Sequence, residues 1–360
     1  MKIVVRFAVT SVIALAAATV VFAVATPPFQ VVMSGLDNPR GLAWGPEGAL
    51  YVAEAGHGGT QPCFPSAATG GPQFAGFTGG VSRLWHGVQE RIVSDLPSIA
   101  PPGGVAALGP HNVAMLGRGN ARVTIGLGTD PANRAICGEV GPQLGWIARV
   151  LPSGHWRLET DLAAYEAANN PDHGLPDSNP YSLLAEPASQ VATDAGGNDL
   201  LRIRANGAIS TIATFPSRAQ GRYTDSVPTA VAVGPDGAYY VGELTGAPFT
   251  PGQANVWRVV PGEAPTVFAS GFTHIIDITF GSDGSLYVLE FSNPIMFASP
   301  GDLWRVAPGG ARTLVATGFV APGSVTIGGD GAFYVSNCSI FPSTTPSPCG
   351  TGGQVVRIQG

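Results

Sequence analysis

The stretch Gly234-Pro-Asp-Gly-Ala-Tyr-Tyr-Val241 decides the fold, because close copies of it recur along the chain. The other copies begin at Gly45, Gly281 and Gly328, and each contains an acidic residue followed by glycine and ends in Tyr-Val. Asp-Gly between two short apolar runs predicts a tight hairpin, since glycine accepts a positive φ and Asp hydrogen-bonds the turn backbone. A hairpin that recurs in this way predicts a blade repeat.

The number of blades follows from a second repeat. The last three copies of the hairpin motif start at equal intervals, and the same interval applied from Gly45 to Gly234 would give seven repeats. However, each hairpin is followed by a strand of the form apolar-x-Arg-apolar, and there are six such strands, beginning at Val81, Ile147, Leu200, Val256, Leu303 and Val355. The sequence therefore predicts an all-β fold, a six-bladed β-propeller with four-stranded antiparallel blades. The surplus length of the first half is assigned to loops.

The N-terminal strand is predicted to close the ring. The sequence stops soon after the sixth Arg strand, so the last blade lacks a fourth strand of its own. Segment 29–36 resembles the fourth strands at 266–272 and 313–319 and can complete that blade. Closure protects sheet edges that would otherwise invite aggregation. One helix is predicted at 161–169, with Thr160 or Asp161 as its N-cap and Pro171 as its stop signal.

The first 25 residues predict export. Lys2 and Arg6 precede an apolar run, 7–25, which ends in Ala23-Val-Ala25. This pattern is typical of a secretory signal peptide that is cut before Thr26. The run is also near the length that spans a bilayer, so an uncleaved membrane anchor is the alternative. After cleavage we expect one propeller domain, 26–360, secreted to the extracellular or periplasmic space, with no membrane span.

Charge and cysteine content limit the partners. The net charge of −6 argues against nucleic-acid binding, which needs a basic face.

Four cysteines in an exported chain predict two disulfides, and Cys338–Cys349 with Cys63–Cys137 is the favoured pairing. Free thiols or a metal site are the alternative for these cysteines. We expect a monomer that binds a small molecule or an extracellular partner.

Polar residues recur where second strands end, and these positions predict a candidate metal site. Long loops follow the second strands, so the elaborated face of the propeller is the one that carries these strand ends. Converging carboxylates could bind a hard cation through oxygen ligands. The alternative is that each carboxylate accepts hydrogen bonds from its own blade. The sequence leaves the cofactor open, with a divalent metal such as Ca²⁺ as the candidate, and the proposed metal ligands are Glu54, Asp194, Glu243 and Glu290.

The starts of the innermost strands are expected to face the central channel. Histidine titrates near neutrality, so His111 and His274, together with Asp277, are the candidate catalytic residues. Arg40, Asn112 and Tyr181 are the candidate ligand-binding residues. The alternative for each histidine is a structural, hydrogen-bonded role.

The blade motifs resemble the ScyD/ScyE family, which is named from a gene cluster for the pigment scytonemin. The resemblance is carried by Ser178-Asn-Pro-Tyr-Ser-Leu-Leu-Ala185 and by Val241-Gly-Glu-Leu-Thr-Gly-Ala-Pro-Phe249. It implies an exported six-bladed propeller related to the NHL, gluconolactonase and quinoprotein-dehydrogenase group, and it implies no reaction. Gluconolactonase-type relatives hold a divalent metal in the channel, and the residues here that resemble its ligands are Asn38, Asn112 and Asp277.

Two functions follow as hypotheses. The first is a secreted propeller that binds a ligand or partner on its loop-rich face, without a reaction. The alternative is a channel-centred enzyme, either a metal-dependent lactone hydrolase or a quinone-linked oxidoreductase. The sequence leaves open whether the protein is an enzyme.

Overall fold

The structure is a computed structural model that describes residues 28–66, 70–117, 120–217 and 225–359. The predicted signal peptide, 1–25, lies outside the described residues. Within them the chain forms a six-bladed β-propeller with four antiparallel strands in each blade, which confirms the predicted fold. No described helix has the length and apolar character that crossing a bilayer requires.

Each blade uses consecutive strands, apart from the last blade, which takes its outermost strand from the N-terminus. That strand is β1 (Gln30–Leu36). Blade one contains β2 (Pro39–Trp44), β3 (Leu50–Glu54), the two-residue β4 (Gln61–Pro62), β5 (Phe74–Trp85) and β6 (Val88–Ala100). Blade two contains β7 (Pro110–Met115), β8 (Ala121–Ile125), β9 (Trp146–Val150) and β10 (Trp156–Asp161). Blade three contains β11 (Pro180–Ala185), β12 (Ser189–Asp194), β13 (Asp199–Arg204) and β14 (Ile209–Thr214).

The second half repeats this plan more regularly. Blade four contains β15 (Pro228–Val233), β16 (Tyr239–Glu243), β17 (Ala254–Val259) and β18 (Thr266–Phe272). Blade five contains β19 (Ile275–Phe280), β20 (Leu286–Glu290), β21 (Gly301–Val306) and β22 (Arg312–Phe319). Blade six contains β23 (Ser324–Ile327), β24 (Phe333–Asn337), the short pair β25 (Pro346–Ser347) and β26 (Gly350–Thr351), and β27 (Gly353–Ile358).

The predicted ring closure is confirmed. Strand β1 pairs with β27 in antiparallel register, with Gln30 opposite Arg357 and Leu36 opposite Gly353. The sheet order β1-β27-β24-β23 makes the N-terminal strand the outermost strand of blade six.

The two sequence repeats meet in space at the hairpin. In blade five the Asp283 carboxylate accepts hydrogen bonds from its own turn, at Ser285 N, and from Arg305 Nη2 at 2.8 Å. In blade four the Asp236 carboxylate accepts a hydrogen bond from Arg258 Nε at 2.7 Å. In blade six the Asp330 carboxylate accepts one from Arg357 Nε at 2.9 Å. The acidic residue of the turn and the arginine of the third strand therefore recur together because they bind each other.

Blade one has longer outer strands than the other blades. The Arg strand that begins at Val81 in the sequence repeat is only the end of β5, because β5 and β6 continue as a paired ribbon to Phe74 and Ala100. Gly76 allows the segment near Gly58 to lie against this ribbon, since a Cβ on Gly76 would lie 2.5 Å from the Gly58 carbonyl oxygen. Part of the segment between the second strand and Val81 is therefore strand and not loop.

The helix and the disulfides agree with the sequence analysis. Helix α1 (Leu162–Asn169) begins after Asp161, whose side chain accepts a hydrogen bond from Ala164 N at 2.9 Å. Two short 3-10 helices, Pro131–Cys137 and Gly141–Gln143, precede it. The four cysteines pair as Cys63–Cys137 and Cys338–Cys349, with Cα separations of 4.2 and 6.2 Å. The first disulfide joins the loops of blades one and two.

Ring closure can be tested by truncating a buried side chain of β1. Leu36 is 1% exposed and packs with Met33 and Val355, so Leu36→Ala should lower the free energy of unfolding by about 2–5 kcal/mol through lost burial and a cavity. Val31 lies on the same strand and is 51% exposed, so Val31→Ala should change the free energy of unfolding by less than about 0.5 kcal/mol. Equal losses in urea unfolding would contradict this closure.

Candidate functional site

The candidate site is a cavity of about 350 Å³ on the loop-rich face of the propeller, at one mouth of the central channel. Loops after second strands and links between blades form its walls, and residues at the start of first strands form its floor. The apolar lining residues are Pro101, Val105, Ala106, Leu108, Leu244, Ile276, Phe291, Met296, Phe297 and Ile340. The remaining lining residues are Arg40, Ser66, Gln73, Gly128, Asn179 and Tyr181. We call this the loop-face cavity.

Arg40 places a buried positive charge at the floor of the loop-face cavity. The residue is 7% exposed, and its Nη2 donates a hydrogen bond to the Ala107 carbonyl at 2.8 Å. Burial lowers the pKa of Arg40, and the neighbouring Tyr181 hydroxyl acts in the opposite direction. Nε has no hydrogen-bond partner, and no described carboxylate forms an ion pair with Arg40. The charge of the guanidinium is therefore not balanced by a carboxylate of the described residues.

Tyr181 and Arg40 lie together, as their prediction as ligand-binding residues requires, but Asn112 does not join them. Burial raises the pKa of Tyr181, an effect that the adjacent Arg40 charge opposes. Asn112 lines the opposite opening of the channel, a polar cavity of about 440 Å³. It packs against Gly41, where a Cβ would lie 2.6 Å from Asn112 Nδ2.

His111 is a buried part of the contact between blades two and three. Its Nδ1 lies 3.1 Å from the Pro180 carbonyl oxygen, and its ring stacks at a tilt on Tyr181 with centroids 4.7 Å apart. Blade two has Gly126 where other second strands end in a polar side chain, and the His111 ring occupies the space that a side chain on Gly126 would need. Burial, reinforced by the Arg40 charge, lowers the pKa of His111 to about 3. His111 is therefore neutral at physiological pH.

Asp277 and His274, the other two proposed catalytic residues, lie apart from His111. Asp277 accepts hydrogen bonds from Ser324 Oγ at 2.5 Å and Val325 N at 2.9 Å, and it lines the opposite channel opening. Burial raises the pKa of Asp277 to about 6, against the effect of these hydrogen bonds. His274 is buried, with Nδ1 2.8 Å from Ser292 O and Nε2 2.9 Å from Phe249 O. No hydrogen bond within the described residues joins any two of these three side chains.

The proposed metal ligands occupy equivalent positions in separate blades, and each is bound by its own blade. Glu290 accepts hydrogen bonds from Thr273 N at 2.6 Å, Trp304 Nε1 at 2.9 Å and Asn293 Nδ2 at 3.0 Å. Glu243 accepts from Asn255 N at 2.7 Å and Trp257 Nε1 at 2.9 Å.

Glu54 and Asp194 have the same type of surroundings. Glu54 accepts a hydrogen bond from Asp37 N at 2.7 Å and pairs with Arg91 at 2.5 Å. Asp194 accepts from Asn179 N at 2.5 Å. This geometry matches the structural alternative given for these carboxylates. Within the described part of the chain, no three His, Cys, Asp or Glu side chains form a preassembled metal site.

Sequence reasoning missed most of the cavity wall. The segment Phe291-Ser-Asn-Pro-Ile-Met-Phe297 contributes three lining residues and is unusually apolar for a loop. Phe291 and Phe297 pack edge to face with centroids 5.4 Å apart, yet Phe297 remains 61% exposed. The pair formed by His57 Nδ1 and Asp37 Oδ2, 2.6 Å apart on this face, was not predicted either.

Comparisons with known proteins support the fold. No family model matches the chain, and no curated protein matches it. Among solved structures, a catalytically inactive virginiamycin B lyase from Staphylococcus aureus with quinupristin is 15% identical, with a TM-score of 0.51 over 92% of this chain and 98% of that chain. An oxidoreductase described as a glucose dehydrogenase, from Thermus thermophilus, is 16% identical, with a TM-score of 0.53 over 92% and 99% of the two chains.

A third solved structure, assigned as a gluconolactonase, is 11% identical, with a TM-score of 0.52 over 94% of this chain and 93% of that chain. At such identities the similarity shows the six-bladed propeller fold alone. The neighbours are named for lyase, lactonase and dehydrogenase activities, so the shared fold selects no single reaction.

The burial of neutral His111 predicts a pH dependence of stability. The pKa of His111 in the folded state, about 3, lies below the ordinary value of 6.5, so the unfolded chain binds a proton that the folded chain does not. Stability should therefore fall as the pH drops below 6.5, by about 1.4 kcal/mol per pH unit from this residue. His111→Gln should lack this component, so the stability difference between wild type and variant should be about 2 kcal/mol larger at pH 7.5 than at pH 5.

The measurement is urea unfolding at both pH values, with His155→Gln as the control. His155 is exposed beside Ser153, so its replacement should leave the pH dependence close to that of the wild type. A stability difference for His111→Gln that stays the same at both pH values would show that the imidazole is not held neutral.

Proposed function

We propose that this chain is an exported binding propeller that holds a small, mainly apolar molecule with an acidic group in the loop-face cavity. The observation that carries the proposal is the uncompensated guanidinium of Arg40 at the floor of an apolar cavity. A buried charge is costly unless it is paired, and an anionic group of a ligand would supply the missing partner.

The shape and lining of the cavity support a small molecule as the ligand. Ligand sites are typically concave and mainly apolar, with a few polar groups that fix orientation. Here Gln73 and Asn179 accompany Arg40 and Tyr181 as the polar groups, and Gln73 Oε1 is buried with no hydrogen-bond partner in the described part of the chain. The exposed Phe297 and Val105 give the mouth an apolar rim. An aromatic or aliphatic body carrying a carboxylate, sulfonate or phenolate fits this arrangement.

The proposal includes membership of the ScyD/ScyE family, a monomeric state and a location outside the cytoplasm. Its support is the blade motifs, the leader pattern and the two disulfides, which are consistent with an oxidising extracellular or periplasmic environment. The enzymatic alternative has weaker support, because His111, His274 and Asp277 point to three separate hydrogen-bond networks.

Binding in the cavity can be tested with 1-anilinonaphthalene-8-sulfonate, an aromatic anion whose fluorescence rises in apolar surroundings. Wild type should bind it, and Arg40→Gln should weaken binding about tenfold or more, because the sulfonate loses its charged partner. The uncharged analogue N-phenyl-1-naphthylamine is the control, since its affinity should change much less. Equal losses for both probes, with the fold intact by circular dichroism, would contradict the role of Arg40.

The location of the probe is tested by filling the cavity. Val105→Trp should block both probes, because Val105 lines the loop-face cavity. Val267→Trp is the matched control, since Val267 is 50% exposed on the outermost strand of blade four. Unchanged binding in Val105→Trp would place the probe elsewhere and overturn the proposed site.

Export can be tested separately by expressing the full 360-residue chain in a bacterial host. We expect the protein in the periplasm or medium with a mass that corresponds to a start at Thr26, because Ala23 and Ala25 present a small-residue cleavage site. Ala25→Arg should block cleavage and retain the chain on the membrane. A wild-type protein that keeps residues 1–25 in the membrane fraction would instead support the uncleaved anchor.

A further inference from the structure

Five carboxylates lie close together beside blade three, at the edge of the loop-rich face. They come from α1, from the segment after it and from the facing ends of β12 and β13. Burial and the repulsion among them raise the pKa of Glu166 to about 8 and that of Asp177 to about 7. None of the five forms an ion pair with an arginine of the described ranges. The five residues, which we call the acidic cluster, are Glu166, Asp172, Asp177, Asp194 and Asp199.

The geometry of the acidic cluster is set by a hairpin and a helix. Asp194 and Asp199 are directly opposite each other in the β12–β13 pairing, a position at which like charges are destabilising. Glu166 reaches the same place from α1. A Cβ on Gly197, in the turn between the two strands, would lie 2.9 Å from Glu166 Oε2 and 3.6 Å from Asp194 Cγ. The Glu166 carboxylate therefore lies against the turn between the two strands.

Asp199 provides a separate observation, because it is buried without any hydrogen-bond donor. The residue is 0% exposed, and neither carboxylate oxygen has a hydrogen-bond partner among the described residues. Glu166 Oε1 is also buried, and no described residue donates a hydrogen bond to it. Asp194, by contrast, accepts hydrogen bonds from Ser178 Oγ at 2.5 Å and from the N–H groups of Asn179, Gly196 and Gly197. Buried polar atoms are nearly always satisfied in proteins, so the oxygens of Asp199 and Glu166 lack a partner that the site is built to receive.

We propose that the acidic cluster binds one Ca²⁺ ion, with Asp199 and Glu166 as its principal ligands. The surrounding groups are oxygen donors without histidine or cysteine, which favours a hard cation. Ca²⁺ takes six to eight oxygen ligands in flexible geometry, so backbone or amide carbonyls and water can complete a shell begun by two carboxylates. Within the described residues no three acidic side chains are already grouped around one point, so only Asp199 and Glu166 are counted as principal ligands.

The ion would fasten α1 and the segment that follows it to blade three. That segment leads to Asn179, which lines the loop-face cavity. Asp172 joins the same contact, since its Oδ2 accepts a hydrogen bond from Asn198 Nδ2 at 3.0 Å. The site goes beyond the proposed ligand binding, and of the four metal ligands predicted from the sequence it contains only Asp194.

The experiment adds Ca²⁺ alone to protein that has been stripped with EDTA, and it measures both bound metal and the melting temperature. Wild type should bind one Ca²⁺ per chain by isothermal titration calorimetry, and its melting temperature should rise by several degrees, because a ligand of the folded state stabilises it. Asp199→Asn should lose at least half of the rise that Ca²⁺ produces, because one of the two principal ligands can no longer carry a negative charge. Glu166→Gln is a second test if Asp199→Asn fails to fold.

Asp283→Asn is the matched control, because Asp283 is an exposed carboxylate in the hairpin of blade five. It should keep the full response to Ca²⁺. A wild type that binds no Ca²⁺ at millimolar concentration and melts equally with and without it would overturn the proposal. So would a full response in both Asp199→Asn and Glu166→Gln, because the ion would then bind elsewhere. Both readouts are independent of the naphthalene probes, so failure here would leave the proposed function standing.

Discussion

The structure depends on a buried polar side chain at the end of the second strand, which binds the chain segment that leads into the first strand of the same blade. Glu54, Glu290 and Asn337 accept the N–H groups of Asp37, Thr273 and Val320 in blades one, five and six. An antiparallel pair brings the end of one strand beside the start of the other, so the contact is local to the blade. It fixes where each first strand begins.

That constraint also places the floor of the loop-face cavity. Arg40 and Tyr181 both stand at the start of first strands, one just after the link held by Glu54 and the other just after the link held by Asp194. The loops above them vary in length and composition, while the floor stays in register from blade to blade. A propeller can therefore change what its face recognises without moving the groups at its centre.

The repeats predicted the blade number, the ring closure and the disulfide pairing, because each depends on a local pattern or on an even cysteine count. The same patterns placed Arg40 and Tyr181 at the channel mouth. They could not show that Phe297 and Val105 line the same cavity, because those residues lie in irregular loops without periodicity. They also could not separate a structural carboxylate such as Glu243 from an unsatisfied one such as Asp199, since that difference lies in the hydrogen-bond donors that the fold supplies.

The pairing of β1 with β27 has a consequence for the order of assembly. Ribosomes make β1 first, and its partner is the last strand of the propeller to be made. Blades one to five each have their own strands and can form in sequence, but the apolar side of β1 has no sheet to join until nearly all of the chain is available. If the protein crosses the membrane unfolded, β1 is the first strand of the propeller to cross, and it stays without its partner strand for the longest time. Strand β1 is short, and residues such as Val31 are exposed even in the folded protein. The apolar surface of β1 that stays uncovered until it pairs with β27 is therefore small.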